Sequence, residues 1–388
     1  EEVTVNLTVD GQRVEVPEGS YVLDAARKLG IDVPTMCHLD GVEPAGSCFI
    51  CVVRVEGREE LVPSCVCPAE DGMRVVTDSD EIRAARRTAL ELLLSDHRGD
   101  CEAPCTVACP AGLDIPEFIR HVRDGNPRRA EAVIKRRIPL PGALGRICPR
   151  YCERVCRRRE FDEPVAICSL KRYPADVDYA SEEPYIPPIS AASGKSVAIV
   201  GAGPAGLTAA WYLLQDGHAC TILEARAEPG GMFRYGIPAF RLPDEVVRQG
   251  TDVIARMGAD FCLNTAVGRE VGFEQVLEEY DAMLLAMGAW AEPSVEFPGH
   301  EMCVSGIEVL ERCARGECPE TGNRVVVLGH GNVAVAAARS MLRSGGGQRT
   351  IISRKERRAM DCIRERAEAA EDEGVELICA AEIIGVEE

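Results

Sequence analysis

The stretch SVAIVGAGPAGLTAAWYLLQDGHACTILEA, residues 196–225, decides the fold of the C-terminal half of the chain. A buried strand leads into a G-x-G-x-x-G turn at Gly201, Gly203 and Gly206, a helix follows, and the next strand ends in Glu224. Gly201 permits the tight turn, and Gly203 lets a pyrophosphate reach the N–H groups at the start of the helix. Glu224, 23 residues after the first glycine, is placed to accept a ribose hydroxyl. A glycine triplet alone would be weak evidence, but the whole pattern predicts a dinucleotide-binding domain.

A second strand, glycine turn and helix begin at residue 324, in RVVVLGHGNVAVAAARSMLRSG. The turn is G-x-G-x-x-A, at Gly329, Gly331 and Ala334. The following strand ends in no acid but in Ser353, Arg354 and Lys355. Cations at this point accommodate a 2'-phosphate, so the pattern favours NADP(H) over NAD(H). The alternative is a solvated run of charge.

The composition is that of a folded protein of two or three domains, with 388 residues of which 46% are hydrophobic and 28% charged. A net charge of -19 repels nucleic acids and anionic membranes and argues against both as partners. The uncharged run 197–214 is long enough to suggest a membrane span, but it contains the Gly and Pro breaks of the nucleotide-binding turn. We therefore expect no membrane insertion.

The chain has 19 cysteines, and the first twelve lie in tight groups between Cys37 and Cys168. Disulfide bonding in a secreted protein is one interpretation. However, no apolar signal segment opens the chain, and an odd number of grouped cysteines favours metal ligation. This usage predicts a cytoplasmic location.

The first group, Cys37, Cys48, Cys51 and Cys65, has the spacing C-x10-C-x2-C-x13-C. Four thiolates are what a two-iron cluster needs. Zinc also takes four cysteines, but its usual signature is two close pairs, whereas only Cys48 and Cys51 form one here. Four buried structural thiols are the third interpretation, which would leave the long glycine-bearing loop little to pack against.

The run from Cys37 through GSCFICVVRVEG to LVPSC resembles a known domain. It is similar to the 2Fe-2S ferredoxin-like domain at the N-terminus of the large iron-sulfur subunit of complex I and of iron hydrogenases. The resemblance covers residues 1 to about 97 and implies one 2Fe-2S cluster on the four cysteines.

Two further groups have an even spacing of four. They are His97, Cys101, Cys105 and Cys109, then Cys148, Cys152 and Cys156, followed by Cys168. Seven cysteines and one histidine make eight ligands, the requirement of two 4Fe-4S clusters. In a single helix His97 and Cys109 would lie about 18 Å apart, so the two segments must interleave their ligands. The alternative for His97 is a surface residue after a helix.

This stretch resembles the N-terminal helical domain of the glutamate synthase small subunit and dihydropyrimidine dehydrogenase, through CTVACPAGLDIPEFI, GRICPRYCERVC and PVAICSLKRY. The resemblance implies one cluster on Cys101, Cys105 and Cys156, with His97 in place of a family cysteine. The other would use Cys109, Cys148 and Cys152. Relatives often take the last ligand from a Glu or Gln where this chain has Lys171 and Arg172, so we expect Cys168 to supply it.

The segment EPGGMFRYGIPAFRLP, residues 228–243, and LLAMGA, residues 284–289, resemble the flavin-contacting parts of the glutamate synthase small subunit family. This resemblance implies that the first nucleotide is FAD, lined by Gly230, Gly231, Met232 and Gly288. The family also inserts its nicotinamide domain within its flavin domain. Because the sequence stops at Glu388, part way through that insertion, we expect a longer native polypeptide.

The predicted fold class is multidomain, with five segments. These are a β-grasp 2Fe-2S ferredoxin-like domain (1–78), an α-helical domain with two 4Fe-4S clusters (79–172), a linker (173–194), and two α/β Rossmann-like domains binding FAD (195–322) and NADP(H) (323–388, incomplete).

No side chain is poised as a catalytic nucleophile, acid or base, so the cofactors would carry the reaction. The sequence predicts an electron-transfer flavoprotein subunit that links NADP(H), FAD and iron-sulfur clusters to a partner redox subunit of hydrogenase, formate dehydrogenase or synthase type. The alternative is a cluster-bearing subunit that wires its partners together without nucleotide turnover of its own.

Overall fold

The computed structural model describes residues 3–97, 101–292, 296–345 and 347–387. The chain forms two compact units, the first ending at Cys101 and the second beginning at Glu102. Among the described residues, no helix is both long and apolar enough to cross a membrane.

The first unit is a five-stranded mixed sheet with two helices. Its elements are β1 (Thr4–Val9), β2 (Gln12–Pro17), α1 (Val22–Lys28), β3 (Val52–Val55), β4 (Val62–Pro63), β5 (Arg74–Val76) and α2 (Asp80–Ser95). The strand order is β2-β1-β5-β3-β4, with β1 and β5 parallel and the other pairs antiparallel. Asp10 and Gly11 both have positive φ, which suits the two-residue turn that joins β1 to β2. Alternate apolar residues of the strands pack against α1, which lies beside the cysteine loop.

The second unit begins with a helical region. Its elements are α3 (Pro104–Val107), α4 (Ile115–Arg123), α5 (Pro127–Lys135), α6 (Pro141–Ile147), α7 (Tyr151–Arg154), a 3-10 turn (Arg157–Glu160) and α8 (Ile167–Tyr179). Its core consists of apolar side chains such as Ile115 and Phe118, and Cys105, Cys109 and Cys152 pack against it.

Helix α8 runs seven residues into the segment predicted to be a linker. Pro174 lies inside this helix and removes one main-chain donor. Packing compensates, because Tyr179 at the end of the helix contacts the buried core of the adjoining sheet. The non-helical connection is therefore shorter than the predicted linker 173–194.

The next part of the second unit is a four-stranded parallel sheet in the order β8-β7-β6-β9. Its elements are β6 (Ser196–Val200), α9 (Pro204–Gln215), β7 (Ala219–Leu223), α10 (Met232–Tyr235), α11 (Asp244–Arg256), β8 (Asp260–Cys262), α12 (Phe273–Glu279) and β9 (Ala282–Leu285). The continuous apolar run of β6 is buried on both faces, as parallel strands covered by helices require.

The last part is a three-stranded parallel sheet in the order β10-β11-β12. Its elements are α13 (Gly306–Ala314), β10 (Arg324–Leu328), α14 (Asn332–Gly345), β11 (Gln348–Ile352), α15 (Arg364–Asp372) and β12 (Glu376–Ile378), with 3-10 turns at His300–Met302 and Arg357–Ala359. A disulfide that the sequence did not predict joins Cys313, in the last turn of α13, to Cys318 in the following loop.

A buried ion cluster joins the helical region to the four-stranded sheet. Lys135 on α5 donates to Asp178 on α8 at 2.6 Å, and its Nζ lies 5.9 Å from the ring centroid of Trp211 on α9. Glu131, one turn before Lys135, is fully buried, with an oxygen 3.4 Å from the ammonium. Burial raises the pKa of Glu131 to about 7, although the neighbouring lysine opposes the shift. The cluster therefore contains two carboxyl groups, those of Glu131 and Asp178, and one cation, the ammonium of Lys135.

Candidate cofactor-binding sites

The four cysteines of the first group lie close together in the first unit. Cys48, Cys51 and Cys65 are buried and Cys37 is half-buried. The main-chain N–H of Cys48 donates to Cys37 and lowers the pKa of this thiol to about 7. Burial raises the pKa of Cys65 to about 12, and a contact with Cys51 and the charges of Cys37 and Cys48 act in the same direction. Four thiols that repel one another as thiolates form an electron-rich pocket suited to iron.

The local fold explains how one loop brings these thiols together. Cys51 directly precedes β3, and Cys65 follows β4, the antiparallel partner of β3. The loop before them turns at Gly46, where φ is 63° and an added Cβ would lie 2.9 Å from Val66. Phe49, between Cys48 and Cys51, also has positive φ, which is unusual outside glycine. These turns let the loop fold back so that Cys48 and Cys51 are buried.

In the helical region Cys109, Cys148, Cys152 and Cys168 are neighbours. The thiol of Cys168 hydrogen-bonds to Cys148 and lowers the pKa of Cys148 to about 5. The same contact, together with burial, raises the pKa of Cys168 well above its usual range. Burial raises the pKa of Cys152 to about 11, with smaller contributions from the charges of Cys148 and Cys109. The predicted ligand Cys168 thus lies beside the other three, although ligation itself stays a prediction.

Close helix packing holds Cys168 in this place. An added Cβ on Gly145 of α6 would lie 2.8 Å from Cβ of Arg172 on α8, so only glycine permits this approach. Cys168 lies 3.3 Å from the carbonyl oxygen of Gly145, and its main-chain N–H donates to Glu153 at 2.8 Å. Arg150, between Cys148 and Cys152, has a left-handed backbone with φ 61°. Such backbone strain clusters at functional sites.

The remaining predicted ligands fall in different units. Cys105 and Cys156 interact electrostatically within the helical region, and burial raises the pKa of Cys105. His97 and Cys101 belong to the first unit and are exposed. Their ligation together with Cys105 and Cys156 stays a prediction.

Within the part of the chain that the structure describes, no three His, Cys, Asp or Glu side chains converge closely enough to hold a single metal ion. An iron-sulfur cluster differs from a single ion, because its thiolates bind separate iron atoms.

In the first glycine turn the backbone packs too closely for side chains at Gly201 and Gly206. Gly201 has φ 109°, and a Cβ there would lie 2.5 Å from the carbonyl oxygen of Ala286. A Cβ on Gly206 would collide with the carbonyl oxygen of Gly201, so this glycine lets α9 start directly on the turn. Glu224 is buried, and its two oxygens accept the N–H groups of Ala202 at 2.7 Å and Arg226 at 2.9 Å. Carboxylate oxygens have further lone pairs, so a ribose hydroxyl could also be accepted.

The predicted flavin-lining segment lies against this turn. A Cβ on Gly231 would lie 2.6 Å from Cα of Gly203, and the N–H of Gly230 donates to the carbonyl of Ala202 at 2.8 Å. Met232 begins α10 directly afterwards. Gly288, with φ 73°, follows β9, which pairs with β6. The bare backbone of these glycines forms a cradle that side chains would fill, and the arrangement fits the pyrophosphate of a dinucleotide.

The second glycine turn follows β10. Gly329 has φ 144°, and its N–H donates to the carbonyl of Ile352 at 3.0 Å. Ala334 is buried in the first turn of α14, and an added Cβ on Gly329 would lie 3.1 Å from its methyl group. Gly331 directly precedes the helix. The close packing explains the small residue at the third motif position.

Of the residues predicted to bind a 2'-phosphate, Ser353 is buried and organises the turn. Its hydroxyl accepts the N–H of Lys355 at 3.1 Å and donates to the carbonyl of the same residue. The ammonium of Lys355 is paired with Asp361 at 2.8 Å. Arg354 is exposed.

A cavity of about 1080 Å³ lies beside the second turn. Its lining includes Asn332 at the start of α14, Arg357 and Arg358 after β11, and Tyr151 and Arg154 of α7. The last two belong to the segment that carries Cys148 and Cys152. No local pattern in the sequence points to these residues, because Tyr151 and Arg154 meet residues that lie about 200 positions later in the chain.

The comparisons with known proteins divide the chain in the same order. Residues 2–80 match the model of a 2Fe-2S iron-sulfur cluster binding domain. Residues 81–183 match that of dihydropyrimidine dehydrogenase domain II, 4Fe-4S cluster, and residues 195–388 that of pyridine nucleotide-disulphide oxidoreductase. The predicted 2Fe-2S and 4Fe-4S binding domains are confirmed, and the oxidoreductase domain fits FAD and NADP(H).

Three curated relatives cover about 70% of this chain. The NADPH-Fe(3+) oxidoreductase subunit beta of Geobacter sulfurreducens is 36% identical over 282 residues, which are 70% of this chain and 42% of that protein. The NADP(+)-dependent formate dehydrogenase subunit beta of Moorella thermoacetica is 38% identical over 299 residues, 70% of this chain and 42% of that one. The glutamate synthase [NADPH] small chain of Halomonas elongata is 33% identical over 290 residues, 71% and 61% respectively.

The chain thus spans 42% of the length of the first two relatives and 61% of the third. These relatives are named as NADPH- or NADP(+)-dependent oxidoreductase subunits, which agrees with the predicted class. The oxidoreductase model covers half of the chain. The chain therefore belongs to the pyridine nucleotide-disulphide oxidoreductase family, with 2Fe-2S and 4Fe-4S cluster-binding domains ahead of its oxidoreductase domain.

Proposed function

We propose that this chain is an electron-transfer flavoprotein subunit, which moves reducing equivalents between NADP(H), FAD and a series of iron-sulfur clusters. The observation that carries the proposal lies in the second unit, where cysteine groups, a flavin-type glycine cradle and a second nucleotide turn share one fold. When bound, FAD would supply the chemistry that links a two-electron nicotinamide to one-electron iron-sulfur clusters. The chain's own residues bind and position these groups.

Three clusters are proposed. The 2Fe-2S cluster would be held by Cys37, Cys48, Cys51 and Cys65. The assignment is supported by the pKa shifts of Cys37 and Cys65, to which the other cysteines of the group contribute. One 4Fe-4S cluster would be held by Cys109, Cys148, Cys152 and Cys168. The contact between Cys148 and Cys168 supports this assignment. His97, Cys101, Cys105 and Cys156 would hold the other.

Two nucleotides are proposed. The residues proposed to hold FAD are Gly201, Gly203, Gly206, Glu224, Gly230, Gly231, Met232 and Gly288. The residues proposed to hold NADP(H) are Gly329, Gly331, Ala334, Arg354 and Lys355. The close approach of Gly231 to Gly203 supports the first assignment. The second is supported by Ser353, Arg354 and Lys355, which stand directly after β11 where NAD-binding proteins carry an acid.

The finer fold and domain assignments remain part of the proposal. The five-stranded unit has the hairpin and helix of a β-grasp domain, and the two parallel sheets have Rossmann-like turns. We assign residues 1–78 to the 2Fe-2S domain, 79–172 to the helical domain, 173–194 to a linker, 195–322 to FAD binding and 323–388 to NADP(H) binding.

The proposed partner is another redox subunit of a multi-subunit complex in the cytoplasm. The relatives named as subunits of an Fe(3+) oxidoreductase and of a formate dehydrogenase support this kind of partner. The 2Fe-2S domain would exchange single electrons with it.

Anaerobic mixing of the flavin-loaded protein with NADPH or NADH, followed by the flavin absorbance, tests the proposal. We expect NADPH to bleach the flavin faster than NADH at equal concentration. No bleaching with either nucleotide would contradict it and favour a subunit that wires its partners together without nucleotide turnover.

A further inference from the structure

One disulfide stands in a chain whose other described cysteines are free thiols. Cys313, in the last turn of α13, is bonded to Cys318 in the following loop. In the reducing cytoplasm proposed for this chain, purely structural disulfides are rare, and those that occur are mostly catalytic or redox-sensing. This bond is therefore a candidate for reversible chemistry.

The disulfide can be reached from solvent. Cys313 and Cys318 are half-buried, and the four residues between them are exposed. Both cysteines line a cavity of about 310 Å³. Exposed disulfides are the labile ones, whereas well-packed structural disulfides resist reduction.

The charged side chains of this cavity are neutralised by partners. Arg234 lies 3.2 Å from Asp244, and Arg343 lies 2.7 Å from Glu373. The rest of the lining is neutral and includes Phe240. The cavity therefore offers no net charge to attract an anion, and the sulfur–sulfur bond is the reactive group that it presents.

Helix α13 connects the disulfide to both proposed nucleotide sites. Its Glu311 pairs with Arg226 at 2.9 Å, and the N–H of Arg226 donates to Glu224 of the proposed FAD site. Leu310 is buried against alanines of α14, the helix after the second glycine turn. The loop that contains Cys318 leads into β10. The disulfide therefore fixes the end of α13 to the segment that enters the second nucleotide-binding sheet.

We propose that Cys313 and Cys318 form a thiol–disulfide exchange site for a dithiol reductant, and that their reduction slows electron transfer from NADPH to the flavin. A thiolate of the dithiol attacks one sulfur, the Cys313–Cys318 bond breaks, and a mixed disulfide forms. The second thiol of the reductant then displaces the remaining cysteine. The reductant leaves as a disulfide, and its two electrons and two protons convert both cysteines to thiols.

The effect on electron transfer rests on the proposed function. Transfer between a nicotinamide and a flavin depends on how closely the two groups are aligned. Reduction frees the end of a helix that contacts both proposed sites, so the alignment becomes less fixed. We expect flavin reduction by NADPH to slow at least about threefold.

The test uses the cofactor-loaded protein, purified anaerobically without added thiols. Dithiothreitol and pre-reduced thioredoxin are the probes, and each is removed before the rate of flavin reduction is measured. Free thiols are alkylated before and after exchange, and the peptide containing residues 313–318 is identified by mass spectrometry. We expect both cysteines to be unlabelled at first and labelled afterwards. Labelling by thioredoxin assigns a dithiol protein as the reductant, and labelling by dithiothreitol alone assigns a small dithiol.

Variants separate the disulfide from general effects of thiols. Cys313→Ser and Cys318→Ser should have the rate of the reduced wild type and show no response to either probe. Cys303→Ser is the matched control, because Cys303 is an exposed free cysteine that lies shortly before α13, and it should keep the wild-type rate and response. Reoxidation of the reduced wild type should restore its rate, which keeps the test decisive if a serine variant fails to fold.

Four results would overturn the inference. They are free thiols at both positions before a dithiol is added, no labelling after either probe, an unchanged rate after full reduction, and labelling after NADPH alone. The last result would make the flavin the reductant instead of a dithiol. If NADPH reduces the flavin in neither state, the proposed function fails, while the labelling still decides whether exchange occurs.

Discussion

The guanidinium of Arg366 donates a hydrogen bond of 2.9 Å to the main-chain carbonyl of Ile147, a residue 219 positions earlier in the chain. Ile147 is the last residue of α6 and directly precedes Cys148. The other side of the guanidinium donates to Oδ1 of Asn332 at 2.9 Å, at the start of the helix after the second glycine turn. One side chain therefore connects the proposed nucleotide site to the proposed cluster ligands.

Replacing Arg366 with alanine should destabilise the second unit. The carbonyl of Ile147 is one of the acceptors left free at the end of a helix, and Arg366 satisfies it with a charged donor. We expect Arg366→Ala to lower the free energy of unfolding by about 2 kcal/mol, measured by chemical denaturation. Arg364→Ala removes only an exposed pair with Glu368, so it should change stability by less than about 0.5 kcal/mol. Equal stability of the two variants would contradict the role given to Arg366.

Adding a methyl group at Gly145 should separate α6 from α8. An alanine Cβ would lie 2.8 Å from Cβ and 2.9 Å from Cα of Arg172, closer than packed carbons allow. We expect Gly145→Ala to cost about 1–3 kcal/mol of stability and to lower the iron content, because Cys168 moves away from Cys148. Gly322→Ala is the control, since no atom lies within 4 Å of its added Cβ. Unchanged iron in Gly145→Ala would show that the helix contact does not position the ligand.

Glu224 should govern flavin retention. Both of its oxygens accept buried main-chain N–H groups, whereas the amide of glutamine offers one oxygen and would leave one donor unsatisfied. We expect Glu224→Gln to weaken FAD binding at least about tenfold, measured as flavin per chain and by FAD titration of the apoprotein. Glu270→Gln removes a carboxylate that accepts the N–H of Ala266 at 2.9 Å in an exposed loop, and it should retain flavin. A wild-type flavin ratio in Glu224→Gln would exclude a role for the carboxylate.

Stability should fall as pH rises through the titration of Glu131. Its carboxyl has an ordinary pKa of 4.5 and a pKa of about 7 in the folded chain, because it is buried. The folded state thus binds this proton more tightly, so the contribution to stability is complete below about pH 4.5 and is lost as the pH rises through about 7. We expect the wild-type protein to lose stability relative to Glu131→Gln over this range, by at most about 3 kcal/mol at about 1.4 kcal/mol per pKa unit.

Thermal unfolding of both proteins between about pH 5 and about pH 8 checks this expectation. The exposed Glu245, paired with Arg248 at 2.6 Å, provides the control variant Glu245→Gln, whose stability should track the wild type. Parallel curves for the wild type and Glu131→Gln would mean that Glu131 is ionised throughout.

Local motifs could be predicted from the sequence because their geometry is local. A Cβ on Gly206 would collide with the carbonyl of Gly201, five residues earlier, so the spacing of the glycines itself encodes the turn. The hairpin around Asp10 and Gly11 has the same origin. The cysteine groups were predictable in outline, since their number and spacing match cluster chemistry.

Long-range contacts could not be predicted in the same way. The bond from Arg366 to Ile147 depends on how α15 packs against α6, and the cavity shared by Arg154 and Arg358 depends on where α7 lies. No local sequence pattern encodes either arrangement. The continuation of α8 through Pro174 is a second example, because packing of Tyr179 outweighs the preference of proline against helix interiors. Sequence spacing also left Cys313 and Cys318 unassigned, although a disulfide joins them at the end of α13.

Iron quantification together with electron paramagnetic resonance of the anaerobically purified native protein, reduced with NADPH, tests the central claim most directly. The account predicts about ten iron atoms per chain, two in one cluster and four in each of the others, and resonances from both cluster types after NADPH is added. A natively folded, flavin-containing protein whose clusters are absent, or stay oxidised while NADPH reduces the flavin, would contradict it.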